Sequence, residues 1–298
     1  MPIGLKDLSL PAGKRARLHR LCYGAGPANG SLLLLPIDQG LEHGPRDFFP
    51  NPPAADLAFQ LRIAEEGGYS GIAMQIGLAE KFMPEHAGRI PLVLKLNGKT
   101  EIPGDDAPIS PLNACVEDAV RLGADAVGYT LYVGSARQDE DFRQFAEVRR
   151  DAERYGMPVV VWSYPRGAAV ESRGGKDSFY AVDYAARVAQ ELGADVVKLN
   201  VPKFDAEKTR KSPAPYGAMT SAEPSEMLRQ VVRSAGRTLV IFAGGEKGGA
   251  DEVVEKARLA LDAGATGLIF GRNIWQRPYE EAVAVSKRIR DLLLQHPR

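Results

Sequence analysis

Cysteine and histidine are scarce in this chain, and their scarcity excludes several kinds of protein. The 298 residues contain only two cysteines, Cys22 and Cys115, which form no motif. A disulfide scaffold is therefore not expected, and a reducing compartment, the cytoplasm, is the predicted location. None of the four histidines is spaced from another as in a zinc site, so we expect neither a metal nor another cofactor.

Net charge and long apolar runs are also missing. The 38 basic residues balance 38 acidic ones, which argues against a broad surface for nucleic acid or anionic lipid. No apolar run approaches the roughly 18 residues that span a bilayer. P-loop and GxSxG motifs are absent as well. We therefore expect a small-molecule partner, with no nucleic acid and no membrane.

What the chain does contain is a repeated pattern, in which a helical stretch ends at a glycine and an apolar run follows at once. The glycine stands where a helix end needs a left-handed backbone. The apolar runs are continuous rather than alternating, which is typical of parallel strands buried on both faces. The instances are EEGGYSGIAMQ (65–75), RLGADAVGYTLY (121–132), ELGADVVKLN (191–200) and DAGATGLIFGR (262–272).

Eight apolar runs in total, most of them separated by helical stretches, predict a single-domain (β/α)8 barrel. The runner-up is a doubly wound open sheet, which would normally show a glycine-rich fingerprint after its first strand. Residues 31–298 are assigned to the barrel and residues 1–30 to an N-terminal extension packed on it. The predicted strands are 32–38, 71–75, 91–96, 126–132, 158–164, 196–200, 238–245 and 267–272.

Polar residues at the C-terminal ends of these strands are the candidates for chemistry, because barrels of this class place their active sites there. Asp38 closes the first strand, and the loop after it contains His43, for which the alternative is an ordinary loop histidine. Trp162 and Tyr164 lie two apart at the end of the fifth strand, so they share one face. The phenol is placed to move a proton, and the alternative is a pair of core aromatics.

The last two strands end in glycine-rich turns that predict a phosphate site. FAGGEKGG contains Gly244 and Gly245, and FGRN contains Gly271 and Arg272. Such turns expose backbone N–H groups at helix starts, and barrels often bind phosphate after strands seven and eight. An arginine adds paired donors for the phosphate oxygens. The alternative is a pair of simple tight turns.

Two strands contain a lysine in the same KLN tripeptide, Lys95 in LVLKLNG and Lys198 in VVKLNV. A poorly solvated amine in the barrel mouth has its charged form disfavoured, and the free amine becomes a nucleophile toward a carbonyl. The alternatives are a partnered structural lysine and a point charge for phosphate. Adjacency favours Lys198 slightly, since strands five and six are neighbours and Lys198 can share a site with Tyr164. Lys95 should lie farther off and reach Asp38 only across the mouth.

Several motifs together resemble the archaeal-type class I fructose-1,6-bisphosphate aldolases, the DhnA/FbaB family. The resemblance spans about residues 30 to 290, and WSYPRG followed by GADVVK is its most specific part. Its motifs are IDQGLEHGP, KLNGKT, AVGYTLYVGS, VVWSYPRG, GADVVKLN and GLIFGRNIWQRP.

The resemblance implies a lysine that forms an imine with a phosphorylated ketose, and the matching position is Lys198. It implies Tyr164 as the proton carrier and Asp38 as the catalytic aspartate. The residues implied to bind substrate are Trp162, His43, Lys95, Gly244, Gly245, Gly271 and Arg272. Members commonly assemble as homo-oligomers, so a homo-oligomer is expected here.

One departure leaves the substrate open. Ala243 stands where the family often has serine, so a hydroxyl donor to phosphate is lost. Related imine-forming barrels make amino-dideoxy sugar precursors or process phosphorylated autoinducer products, and a non-catalytic sugar-phosphate-binding protein is a further alternative. The basic loop 203–211 is either a solvated surface loop or a contact for the far phosphate of a bisphosphate.

Overall fold

Eight parallel strands close into a barrel in the computed structural model, which describes residues 2–245 and 248–298. Each strand pairs with the next along the chain, and the first also pairs with the last. The predicted (β/α)8 barrel is confirmed. The strands are β1 (Leu32–Pro36), β2 (Gly71–Gln75), β3 (Leu92–Lys95), β4 (Ala126–Val133), β5 (Val159–Pro165), β6 (Val196–Leu199), β7 (Leu239–Ala243) and β8 (Gly267–Ile269).

Helices alternate with the strands and surround them. None of the described helices is both long enough and apolar enough to cross a membrane. The α-helices of the described residues are α1 (Ala12–His19), α2 (Gln39–His43), α3 (Leu57–Gly67), α4 (Ile76–Phe82), α5 (Val116–Arg121), α6 (Gln138–Tyr155), α7 (Ala168–Glu171), α8 (Phe179–Leu192), α9 (Ala206–Thr209), α10 (Pro224–Ser234), α11 (Ala250–Asp262), α12 (Arg272–Trp275) and α13 (Tyr279–Leu294). Shorter helical turns are Leu5–Asp7, Arg20–Gly24, Pro45–Phe48, Pro52–Ala55, Met83–His86 and Tyr216–Ala218.

The glycine signals end helices as the sequence indicates. Gly68 after α3 and Gly193 after α8 have left-handed backbones, with φ of 72° and 91°. Each donates its N–H to carbonyls of the last helical turn, which satisfies groups that the helix leaves unpaired. The chain then turns directly into the next strand.

Three strands end two or three residues before their predicted C-terminal ends, β1 at Pro36, β7 at Ala243 and β8 at Ile269, and β3 and β6 each end one residue early. The residues beyond them leave the ladder and form the loops of the barrel mouth. Apolar character alone could not separate these residues from the strand, because they remain largely buried.

Alternate side chains of each strand point to opposite sides, as the strand period of two requires. The outward set packs against the helices in a large apolar core. The inward set fills the barrel below the mouth, where Leu32, Leu34, Ala73, Val93, Ala126, Val160, Val196, Leu239, Ile241 and Ile269 are all buried. The barrel is therefore closed by packed side chains, and only its upper layer is free for chemistry.

The N-terminal segment closes the opposite end, which we call the floor. Leu18 and Leu21 pack into the inner cluster from below. The Lys14 ammonium is buried and lies 2.9 Å from Asp195 Oδ2 and 2.6 Å from Glu153 Oε1. These contacts connect α1 to the C-terminal part of α6, which contains Glu153, and to the start of β6, which Asp195 immediately precedes.

Candidate active site

Three inward side chains form the upper layer of the barrel mouth: Lys95 of β3, Trp162 of β5 and Lys198 of β6. The β5–β6 register pairs Trp162 with Lys198. The β3–β4 register pairs Lys95 with Gly128, and Thr130 of β4 pairs with Trp162. Both lysines of the KLN tripeptides therefore point into the same mouth rather than into the helix layer.

The Lys198 amine contacts Tyr164. It donates to the phenol oxygen, and its nitrogen lies 4.2 Å from the centre of the ring. Burial lowers the pKa of Lys198 to about 7, while Asp38 and Glu42 favour the charged form and oppose this shift. The positive charges of Lys95 and Arg272 lower the pKa further. An amine with this pKa is substantially neutral near pH 7 and can act as a nucleophile.

Tyr164 lies between the Lys198 amine and the Arg166 guanidinium, and Arg166 is in turn paired with a loop carboxylate. Arg166 places its guanidinium 5.0 Å from the centre of the Tyr164 ring, and its Nε lies 3.4 Å from Asp105 in the loop after β3. Tyr132 of β4 pairs with Tyr164 in register. The phenol thus has one side against the Lys198 amine and another against a fixed cation.

Lys95 lies beside Asp38 and Trp162 in the mouth. Its ammonium is 3.6 Å from Asp38 Oδ2 and 4.0 Å from the centre of the Trp162 ring, and it donates to Thr130 Oγ1 at 2.6 Å. Burial lowers the pKa of Lys95, and the nearby Asp38 carboxylate opposes that shift. Lys95 thus reaches Asp38 across the mouth, as expected, while Lys198 is the lysine that contacts Tyr164.

Gly128 is required by this arrangement. A Cβ at this position would lie 2.8 Å from Lys95 Cδ and 2.9 Å from Trp162 Cζ3. Both distances are shorter than carbon atoms tolerate, so any side chain here would displace one of the two neighbours. The sequence shows that Gly128 shares the inward face of its strand with Ala126 and Thr130. Only the strand register shows that Lys95 and Trp162 lie against it.

His43 ends α2, and the structure gives its ring a protein partner. His43 Nδ1 lies 3.0 Å from Glu101 Oε2, in the loop after β3, and Arg46 contacts the same carboxylate. The hydrogen bond from His43 lowers the pKa of Glu101. The backbone N–H of Glu101 also donates to Glu42 O at 2.9 Å. His43 thus joins two loops of the mouth, and its contact with substrate stays a prediction.

The glycine turns after β7 and β8 lie side by side. A Cβ at Gly244 would lie 2.7 Å from Phe270, and one at Gly271 would lie 2.7 Å from Gln39, so both positions need glycine for close approach. Asn273, whose role no sequence motif indicated, links the two turns. It accepts from Gly248 N at 2.9 Å and donates to Gly245 O at 3.3 Å.

Arg272 stands at the start of α12, half-exposed, with its guanidinium 4.0 Å from Asp47. It is near enough to Lys198 to influence the pKa of that amine. Unlike Arg272, the cations of the 203–211 loop are all exposed to solvent; they are Lys203, Lys208, Arg210 and Lys211. Their proposed contact with a far phosphate stays a prediction.

Comparisons with known proteins show which family this chain belongs to. The DeoC/LacD aldolase family matches residues 32–277. The class 1 fructose-bisphosphate aldolase of Thermoproteus tenax is 39% identical over 265 residues, covering 89% of this chain and 90% of the relative. A 2-amino-3,7-dideoxy-D-threo-hept-6-ulosonate synthase of Halobacterium salinarum is 32% identical over 282 residues, covering 94% and 92%. A solved archaeal fructose-1,6-bisphosphate aldolase, with its catalytic lysine bound to the carbinolamine intermediate, is 36% identical with a TM-score of 0.78, covering 93% of this chain and 99% of that one.

Fold and comparisons together define a barrel enzyme of the aldolase class, a lyase. The chain belongs to the DeoC/LacD family of aldolases. The resemblance to archaeal-type class I fructose-bisphosphate aldolases is confirmed. The alternative of a non-catalytic binding protein is set aside, because the relatives are enzymes over nearly the whole length of this chain.

Proposed function

We propose that this chain is a metal-independent class I aldolase that reversibly cleaves fructose 1,6-bisphosphate to dihydroxyacetone phosphate and glyceraldehyde 3-phosphate. The observation that supports it most directly is the Lys198 amine, buried in the mouth with a pKa lowered to about 7 and in contact with Tyr164. A nucleophile and a proton carrier are what imine chemistry on a ketose needs.

Substrate binding is assigned to the two glycine turns and Arg272. Backbone N–H groups of Gly244, Gly245 and Gly271 offer donors for one phosphate, and the guanidinium adds a charge-assisted fork. Binding the phosphate at this edge sets the ketose carbonyl over Lys198. Orientation of this kind converts binding energy into rate.

In the proposed reaction, Lys198 Nζ attacks the C2 carbonyl, and the carbinolamine loses water to give a protonated imine. The C4 hydroxyl then loses its proton, the C3–C4 bond breaks, and its electron pair moves into the imine to form an enamine. Glyceraldehyde 3-phosphate leaves, C3 of the enamine is protonated, and water releases dihydroxyacetone phosphate from the lysine. Tyr164 carries the main protons, and Asp38, beside Lys95, positions hydroxyls or assists the dehydration.

Reduction of the imine tests this proposal. Borohydride added with fructose 1,6-bisphosphate should inactivate the enzyme, and peptide mass mapping should find the sugar adduct on the peptide with Lys198. An adduct on Lys95, or no adduct under conditions of turnover, would overturn the assignment.

A second candidate is a synthase that uses the same imine to transfer a ketose fragment to another acceptor. It is favoured by Ala243, which removes a hydroxyl expected near the phosphate, and by similarity to the Halobacterium synthase. Autoinducer-phosphate processing belongs to the same group of imine reactions. A panel comparing cleavage of fructose 1,6-bisphosphate and fructose 1-phosphate with ketose transfer separates these candidates by kcat/KM.

We also propose a cytoplasmic homo-oligomer. The paucity of cysteine supports a reducing compartment. Association is proposed from the family resemblance, since members commonly assemble as homo-oligomers. Light scattering coupled to size exclusion should give a mass that is a multiple of 32.2 kDa. A mass of one chain at micromolar concentration would refute it.

A further inference from the structure

The mouth contains two buried amines in similar strands, and one side chain distinguishes their surroundings. Lys95 donates to Thr130 Oγ1 at 2.6 Å, and Thr130 is itself buried. For Lys198 the described residues provide a phenol contact but no carboxylate within 4.0 Å. The two lysines therefore have different partners although they share a tripeptide.

Thr130 is in turn fixed by Asn97, which follows Lys95 by two residues and has no exposed surface. The Asn97 amide accepts from Thr130 N at 2.7 Å and donates to Thr130 O at 2.8 Å. It also donates to Ser110 O at 3.2 Å. The side chain of Asn97 thus takes the place of a backbone ladder partner for β4 just where β3 has ended.

Bonds of this kind hold the backbone of Thr130 in one position, so its hydroxyl faces one direction. Buried amide groups that satisfy both a donor and an acceptor are rigid, because every broken bond leaves an unpaired polar group. The Lys95 side chain packs directly over Gly128, and its ammonium ends at the Thr130 hydroxyl. That point lies 3.6 Å from Asp38.

We propose that Thr130, held by Asn97, is a positioning residue that keeps the Lys95 amine beside Asp38, so that Lys95 serves as a fixed cation and Lys198 supplies the nucleophile. This inference rests on the proposed imine chemistry. It assigns to Asn97 and Thr130 a role that neither strand pairing nor core packing requires.

The arrangement has a consequence for pH dependence, because a fixed ammonium at Lys95 lowers the pKa of Lys198. Without the Thr130 hydroxyl, the charged form of Lys95 loses an acceptor, and its buried amine neutralises more readily. The pKa of Lys198 should then rise. The charged and titratable groups that face the two amines are Asp38, Glu42, Tyr164 and Arg272.

The test is the pH profile of imine trapping in Thr130→Val, which keeps the shape of threonine without its hydroxyl. We expect about a tenfold lower kcat/KM near pH 7 and a trapping midpoint at higher pH than in the wild type. Thr130→Ser restores the hydroxyl and should restore the midpoint. Thr238→Val is the matched control, since Thr238 is a buried threonine just before β7, at the end of the barrel opposite the mouth.

Asn97→Ala provides the second measurement. If Asn97 acts through Thr130, the Asn97→Ala substitution should move the trapping midpoint in the same direction. The double variant should then lose no more kcat/KM than the more impaired single variant. A lower rate with an unchanged midpoint in Thr130→Val, or additive effects in the double variant, would overturn the inference. Wild-type trapping at Lys198 separates that outcome from failure of the proposed function, in which the wild type itself traps nothing.

Discussion

The floor and the mouth of the barrel each bury lysine, but they surround it differently. At the floor, Lys14 meets two carboxylates, Glu153 and Asp195, at 2.6 and 2.9 Å. In the mouth, Lys95 has one carboxylate at 3.6 Å, and Lys198 has a phenol. A buried ammonium with good ion pairs holds structure together, whereas one without them has its pKa lowered and becomes reactive. Carboxylate partners, not burial, therefore separate the structural Lys14 from the two mouth lysines, and contacts with Thr130 and Asp38 in turn distinguish Lys95 from Lys198.

The strongest way to break this comparison is to remove the mouth lysines one at a time. Lys198→Met should lower kcat by at least about a thousandfold, because no other amine replaces the nucleophile. Lys95→Met should retain the borohydride adduct on Lys198 while lowering kcat/KM. Steady-state kinetics with peptide mapping of both variants checks this. Equal trapping in the two variants would contradict the assignment.

Stability should change in opposite directions at the two ends. Lys14→Met leaves the carboxylates of the buried Asp195 and of Glu153 without their positive partner, so we expect a loss of about 3–5 kcal/mol in unfolding free energy. Lys198→Met removes an amine whose pKa falls from 10.5 to about 7 on folding, which should stabilise by up to about 4 kcal/mol at pH 7. Denaturant titration of both variants measures the two signs.

The sign of the pH dependence follows from the same shift. Between pH 7 and 10.5 the unfolded chain binds more protons at Lys198 than the folded one, so wild-type stability rises with pH across this window. The advantage of Lys198→Met should therefore shrink toward pH 10. A constant advantage would mean that packing, and not charge, sets the difference.

The pH dependence of kcat/KM should also follow the protonation of the Lys198 amine. The acid limb of kcat/KM for the wild type is expected to have its midpoint near pH 7, whereas a lysine with an ordinary pKa would place this midpoint beyond pH 10. Lys95→Met should move that midpoint upward, since the Lys95 charge lowers the pKa of Lys198. Lys14→Met, at the floor, should leave it in place. A shift in the floor variant would contradict the separation of the two ends.

The smallest expected effect concerns the phosphate turns. Ala243→Ser adds a hydroxyl at the end of β7, beside Gly244, and should lower the KM for fructose 1,6-bisphosphate by about two- to tenfold through one added hydrogen bond. Fructose 6-phosphate, which lacks the C1 phosphate, is the control and should show no such gain. An equal gain for both sugars would place the hydroxyl away from that phosphate.

Much of the fold could be predicted from local sequence. Apolar runs placed all eight strands, and glycines such as Gly68 and Gly193 marked helix ends, since both signals depend on neighbours in the chain. Strand ends were less certain, because residues such as Gly244 stay buried after the ladder stops. Thr130, Asn97 and Asn273 were missed because their value lies in contacts across strands and loops.

Local sequence was enough to predict the barrel, the shared face of Trp162 and Tyr164, and the two candidate lysines, since strand periodicity and chain order can be read without the fold. The contacts of each lysine depend instead on how the strands align in the folded barrel. The register brings Lys95 past Gly128 to Thr130 and Asp38, and it brings Lys198 to Tyr164. Electrostatic environment depends on atoms within a few ångströms, and those atoms come from strands that are distant in the chain.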